Sequence, residues 1–230
     1  MKGHHIDPKT IVARVNLSRL LLALPFAAVN FRDRPMLCGV LIEPQGEYGT
    51  KLVATDGKVL AVVDDLGFAK QPLFIPRMVL DQLWAASSLD SDDVGYDITA
   101  MAFDDYLMIS ESGLLSVGPI TYQLPSMDAA AFPDWRAPIG DALDARGIDA
   151  PDGLWISEDL LTRVAAANRR MSSRPGFHIA ARVITKGVLP ALVIRLRSDE
   201  SLEMSVLVME MAPPVEDTRN VVPLRQGPAA

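Results

Sequence analysis

At 230 residues, 49% of them hydrophobic and 22% charged, the chain has the composition of an ordinary folded protein and the length to bury a sizeable core. Its formal net charge of -7 argues against a general nucleic-acid coat, because the average surface repels phosphate and any such contact needs a local concentration of arginines. The single cysteine, Cys38, rules out an internal disulfide, and no uninterrupted apolar run reaches the roughly 20 residues of a membrane-spanning helix.

The first strand-to-helix corner is Val15-Asn16-Leu17-Ser18-Arg19-Leu20, in which Asn16 can accept a hydrogen bond from a free first-turn amide of an apolar-periodic helix. Strands of period two follow at 37–42, 51–55 and 59–63, with Gly46, Gly49 and Asp56-Gly57 at the turns. The order then recurs. Ile75-Pro76-Arg77-Met78-Val79-Leu80 is a second corner, where Pro76 is tolerated because its missing donor would be unpaired in any case. Its strands are expected at 95–100, 106–110 and 115–117, the last running on through 120–124. Residues 125–152, rich in Ala, Asp and Pro, read as an extended linker with one aromatic anchor, Phe132-Pro133-Asp134-Trp135. A third corner, Ile156-Ser157-Glu158-Asp159-Leu160-Leu161, has Ser157 as its cap and precedes strands at 177–183, 191–196 and 204–209. The prolines of 213–230 mark a tail expected to be disordered or draped.

Three copies of a strand-helix-strands module predict an α+β fold of antiparallel sheets. One helix over a few strands buries only one side well, so modules are expected to pair, with both helices on one face of a joined sheet. The first two then form a complete domain at about 10–124, and the third, at 153–212, is half of one. Its open sheet predicts self-association, as a dimer whose third modules complete each other or as a larger closed assembly.

Chemistry-bearing constellations are sparse. His178 lies among apolar strand neighbours with no carboxylate partner in sequence, and three histidines with one cysteine offer no spaced zinc ligand set. Asp64-Asp65, Asp92-Asp93 and Asp104-Asp105 read as solvated loop carboxylates. The residues carry no phosphate loop, nucleophile elbow or zinc helix. A binding protein is expected rather than an enzyme, with no cofactor and no metal. The N-terminal residues 1–8 lack a secretory h-region, which suggests a cytoplasmic setting.

Several stretches resemble, in order, the beta sliding clamp of bacterial DNA polymerase III. Arg34-Pro35-Met36-Leu37-Cys38-Gly39-Val40-Leu41-Ile42-Glu43 is similar to the clamp strand after a domain's first helix, its glycine in place. Val53-Ala54-Thr55-Asp56-Gly57-Lys58-Val59-Leu60-Ala61-Val62 resembles the clamp's Ala-Thr-Asp-Gly segment, with Lys58-Val59 in place of a basic pair. Phe74-Ile75-Pro76-Arg77 resembles the second half-domain corner, Phe132-Pro133-Asp134-Trp135-Arg136 the linker into the last domain, and Val208-Met209-Glu210-Met211 the chain end, with Glu210 where proline is usual. The resemblance covers 12–136 and, more loosely, 153–211. It implies a DNA-clamp fold shortened from three domains to one and a half.

The resemblance further implies an apolar peptide-binding cleft of Leu37, Thr55, Gly57, Lys58, Val59, Leu60, Pro133, Leu207 and Met209. Without it, Leu37, Leu60 and Leu207 read equally well as core, and Thr55-Asp56-Gly57 as an ordinary hairpin turn. It also implies helices facing duplex DNA without regard to sequence. Arg163, Arg170 and Arg174 recur at helical spacing, Arg169 and Arg182 could add to them, and a solvated helix face is the other reading. The second helix offers only Arg77. The function so implied is a sliding-clamp-like tether holding a polymerase or repair factors on DNA, of the kind that could serve a phage or mobile element. The alternative is an adaptor or decoy that binds clamp-interacting proteins without encircling DNA. An enzyme on an unrelated scaffold is the third reading.

Overall fold

The computed structural model describes residues 7–30, 32, 34–46, 49–88, 106–117, 120–126, 128–136, 154–171, 178–186, 189–197, 203–208 and 221–224. The chain divides into two compact units, Met1–Gly57 with Val62–Pro133 and Lys58–Ala61 with Asp134–Ala230.

In the first unit, β1 (Ile11–Asn16) leads into α1 (Leu17–Ala23), which a 3₁₀ turn at Leu24–Phe26 extends. Asn16 caps the helix as its sequence position predicts, its side-chain oxygen accepting from the Arg19 amide at 3.3 Å and the Ser18 hydroxyl at 2.5 Å. Leu17, Leu20 and Leu21 are buried, and each contributes on the order of 2 kcal/mol by leaving water. After α1 come β2 (Gly39–Pro44), β3 (Thr50–Thr55), β4 (Val59–Asp65) and the short β5 (Phe68–Ala69). The second module supplies β6 (Leu73–Pro76), α2 (Arg77–Ser88), β7 (Tyr106–Ser110), β8 (Leu114–Val117) and β9 (Ile120–Gln123).

The two modules exchange their opening strands. β1 of the first lies inside a sheet ordered β5-β1-β7-β8-β9, antiparallel to β7 of the second with Val15 opposite Leu107. β6 of the second pairs in turn with β2 of the first in the run β4-β3-β2-β6, with Val40 opposite Ile75. α1 touches β1 and β3, while α2 touches β2 and β6. Consecutive residues Leu52, Val53 and Ala54 are all buried, so β3 is covered on both faces. Arg77, at the start of α2, donates to the carbonyl oxygens of Leu24 and Ala27 at 3.4 and 3.0 Å and so serves the exposed carbonyl end of the α1 extension.

One expected strand is different. Residues 115–124 form a hairpin of β8 and β9, with Val117 opposite Ile120, rather than one continuous strand. The Gly118-Pro119 pair is a turn signal that the apolar alternation on either side had hidden. The strand expected at 95–100, and Asp92-Asp93 and Asp104-Asp105, lie outside the described residues.

The second unit carries the third module: β10 (Leu154–Ser157), α3 (Glu158–Met171), and a meander of β11 (His178–Lys186), β12 (Leu189–Arg197) and β13 (Glu203–Val208). Leu160, Val164 and Ala167, spaced by four and three, form the buried stripe of α3. The tail expected to be disordered contains a strand, β14 (Val221–Leu224), antiparallel to β10 with Leu154 opposite Leu224. The opening strand of the third module therefore takes its hydrogen bonds from the tail. Pro223 is compatible with this because a two-stranded ladder leaves one side of each strand without a partner to supply.

Asp65, expected on the surface, is buried with its side chain 1% exposed. Its carboxylate accepts from the Thr50 hydroxyl at 3.1 Å and the amides of Gly67 and Asn16 at 2.9 and 3.4 Å, with the Arg19 guanidinium 3.7 Å away. It thereby ties the end of β4 to the β1-α1 corner. Gly67 completes the arrangement, since a Cβ there would collide with the Arg14 carbonyl oxygen and lie 2.5 Å from the carboxylate. Burial nevertheless outweighs these partners and raises the Asp65 pKa above the ordinary 3.8. A raised folded-state pKa means that the native protein holds this proton more tightly than the unfolded chain. Its stabilising contribution is then full below pH 3.8 and is lost as pH rises through the folded value. In urea melts of wild type and Asp65→Asn, the variant should carry a pH-independent cost of about 1–3 kcal/mol for a mismatched donor. The wild type should in addition lose stability relative to the variant as pH is raised from about 4 until the folded pKa is passed.

Candidate functional site

The turn after β3 is built by its own residues. Thr55 is buried and its hydroxyl accepts from the Gly57 amide at 3.0 Å. Gly57 adopts φ +91°, a region that disfavours a side chain. A Cβ on Gly57 would stand 3.9 Å from Leu37 Cδ1, so the turn lies over Leu37. Leu37 closes a 3₁₀ turn (Pro35–Leu37), its carbonyl oxygen accepts from the Ala28 amide at 2.9 Å, and it is 2% exposed.

Next along the chain, Gly39 stands opposite Pro76 in the β2-β6 ladder. A Cβ on Gly39 would lie 2.5 Å from Phe74 Cζ, so the missing side chain is what lets the Phe74 ring cross the strand. Phe132 packs on that ring at 6.2 Å between centroids and 45° between planes. Asp128 accepts from the Ala130 amide at 2.9 Å, which fixes the 3₁₀ turn (Ala129–Ala131) that delivers Phe132. Pro133 follows it into solvent. The β2-β3 register, with Leu41 opposite Val53, brings Thr55 level with Gly39 when extended by two residues. The Asp56-Gly57 turn and the Phe132-Pro133 segment are therefore both anchored on the same stretch of sheet.

Among the other residues expected in a cleft, Lys58 is exposed, whereas Val59, Leu60 and Leu207 are 7%, 2% and 2% exposed. Met209 lies outside the described residues. Among the described members of the set, Gly57, Lys58 and Pro133 meet solvent, and Leu37, Val59, Leu60 and Leu207 are buried.

Arg163 is placed less openly than its spacing suggests. Arg163 forms an ion pair with Asp159 at 2.6 Å, one turn earlier on α3. Arg169 and Arg170 lie on α3, and Arg174 lies outside the described residues. On α1, Arg19 donates to the Asp64 carbonyl oxygen at 3.1 Å and approaches Asp65. Arg77, besides its carbonyl partners, lies 3.5 Å from Asp81. Arg19 and Arg77 are the only cations that the sequences of α1 and α2 supply, and both are bound to the protein itself. Among the described residues, no group of three or more His, Cys, Asp or Glu side chains is placed to hold a metal ion, and no helix is long and apolar enough to cross a membrane.

Asp65 is the residue that the sequence reading misplaced, although a signal was present. Val59 to Val63 form an unbroken apolar run that is buried throughout, and β4 runs on from it to Asp65, which is buried, while Asp64 is partly exposed and pairs with Lys51 at 2.5 Å.

Comparison with solved structures finds the same fold in bacterial sliding clamps. The sliding clamp (DNA polymerase III subunit beta) of Bartonella birtlesii, solved bound to griselimycin, aligns with a TM-score of 0.53 and 17% identity over 98% of this chain and 70% of that one. The Pseudomonas aeruginosa sliding clamp aligns with a TM-score of 0.40 and 18% identity, covering 98% of this chain and 55% of the other. The C. crescentus beta sliding clamp does so with a TM-score of 0.40 and 15% identity, covering 90% and 53%. The chain spans about half the length of the last two. A scan of protein-family models and a search of curated proteins each found no match. The Bartonella alignment agrees with the α+β clamp fold expected from the three modules.

Proposed function

We propose that this clamp-fold chain is a binding protein that captures short peptide segments of replication or repair proteins at the surface around the Asp56-Gly57 turn. The observation that carries this reading is the construction of that turn. Gly57 is held at positive φ over Leu37 by the Thr55 hydroxyl, while Gly39, Phe74 and Phe132 set the exposed Pro133 on the same stretch of sheet. A rigid rim beside a polar turn suits an extended peptide, because little conformational entropy is lost on its side of the contact. Val59, Leu60, Leu207 and Met209 are the further cleft residues that the resemblance implies. Val59 is 7% exposed, which makes Val59→Asp a folding variant, so exposed positions are the better test. Pro133→Asp and Lys58→Glu should each weaken binding of a labelled clamp-binding peptide about tenfold in fluorescence polarisation, with an unchanged melting temperature. Affinities equal to wild type would remove this site.

Tethering to duplex DNA is the larger function in which such capture would operate, with the chain assembled into a dimer or tetramer. Its cationic surface would then be α3, through Arg163, Arg169 and Arg170, together with Arg174. A second reading, an adaptor that does not encircle DNA, is favoured by one specific observation: Arg19 and Arg77 are committed to internal carbonyl and carboxylate partners. The two readings separate on DNA. A tether is retained on circular plasmid and released on linearisation, sediments as an oligomer at micromolar concentration, and loses retention in Arg169→Glu/Arg170→Glu. An adaptor remains a monomer, binds the peptide, and shows no difference between the two DNA forms.

A further inference from the structure

One face of the five-stranded sheet carries a set of side chains that neither reading uses. Because residues directly opposite each other in antiparallel strands share a face, the strand registers place Phe68, Arg14, Met108, Ser116 and Thr121 in a single row across β5, β1, β7, β8 and β9. Tyr106, two residues before Met108 on β7, shares that face. The opposite face holds Ala13, Val15, Leu107, Ile109 and Leu115, all at most 1% exposed, and is the core side.

The row is unusual for a solvated sheet face. Phe68 is 36% exposed, Arg14 is exposed, and Tyr106 and Met108 are half-buried. Aromatic residues, methionine and arginine are the types enriched where proteins meet partners, while lysine and glutamate are depleted there. Arg14 is also prepared for a ligand. Its guanidinium carbon lies 3.7 Å from the centre of the Tyr106 ring, a stacking that restrains the side chain, and the residue is exposed to solvent. Among the described residues no carboxylate pairs with it. Lys70, which follows β5, is 3.8 Å from Glu111.

We infer that this face is a docking surface for an acidic, aromatic-containing peptide segment of a partner protein. The Arg14 fork would take a carboxylate through two parallel hydrogen bonds, and Phe68 and Met108 would cover the adjacent aromatic side chain. Charge complementarity selects this occupant. A lone stacked guanidinium matches one carboxylate, whereas a nucleic-acid strand would bring several phosphates to a chain of net charge -7 with Lys70 neutralised beside the site. The inference is independent of peptide capture at the Asp56-Gly57 turn, which is on different strands.

The test uses the full chain, ¹⁵N-labelled, titrated with the acetylated and amidated peptide Gly-Glu-Phe-Glu-Gly and with its Gln-for-Glu counterpart. Saturable shifts confined to β1, β5 and β7 are expected for the acidic peptide, with affinity at least tenfold weaker for the neutral one and for Arg14→Ala, and partly restored in Arg14→Lys. Tyr106→Leu, which keeps the charge but removes the ring, should weaken binding several-fold. Absence of saturation to millimolar peptide, or equal affinity of the acidic and neutral peptides, overturns the proposal. So does tighter binding of a dT10 oligonucleotide at the same residues, or concentration-dependent self-association that Phe68→Ser abolishes. Pro133→Asp leaves this titration unchanged, so a failure at the Asp56-Gly57 turn is distinguishable from a failure here.

Discussion

The exchange of opening strands between the first two modules is the constraint on which the first unit depends. β1 is chemically part of the first module, yet its ladder partners include β7 of the second; β6 opens the second module, yet it pairs with β2 of the first. Backbone donors and acceptors removed from water must find partners, so neither module can satisfy its own sheet alone. The helices follow from this arrangement. α1 covers β1 and β3, α2 covers β2 and β6, and Arg77 uses its guanidinium to bind the carbonyls that the α1 extension leaves open.

The third module shows what happens when the exchange partner is missing from its neighbourhood in sequence. Its opening strand β10 pairs with β14, a four-residue strand from the chain's tail. The pressure to self-associate that an odd number of modules creates is eased to that extent, because one edge is already covered. An oligomer would then depend on the remaining edges and faces.

Much of this was legible in the residues. The three corners at Asn16, Pro76 and Ser157 gave the repeat, because caps and prolines act locally and tertiary context does not alter their chemistry. The resemblance in motif order then indicated a clamp fold, which the structural alignment supports. What escaped was set by long-range contact. Which module's sheet a strand joins is not written in its period-two pattern, and Asp65 looked like a surface carboxylate because two of its donors, Asn16 and Thr50, are distant in sequence. The residues expected in a cleft are a harder case. Leu37, Leu60 and Leu207 are as apolar as core residues and are buried as core residues, so sequence alone left both roles open. The arginines show the same limit, since helical spacing marks a face but not the partners that Asp159, Asp65 or a free carbonyl provide.

Native-state hydrogen exchange tests the strand exchange most directly. If the two modules fold only through each other, amides of β1, β7 and β8 open with the same free energy as those of β2, β3 and β6, and Gly67→Ala lowers both sets together. Opening of one set at a clearly lower free energy, with the other still protected, would show that each module holds its own sheet and would contradict the account.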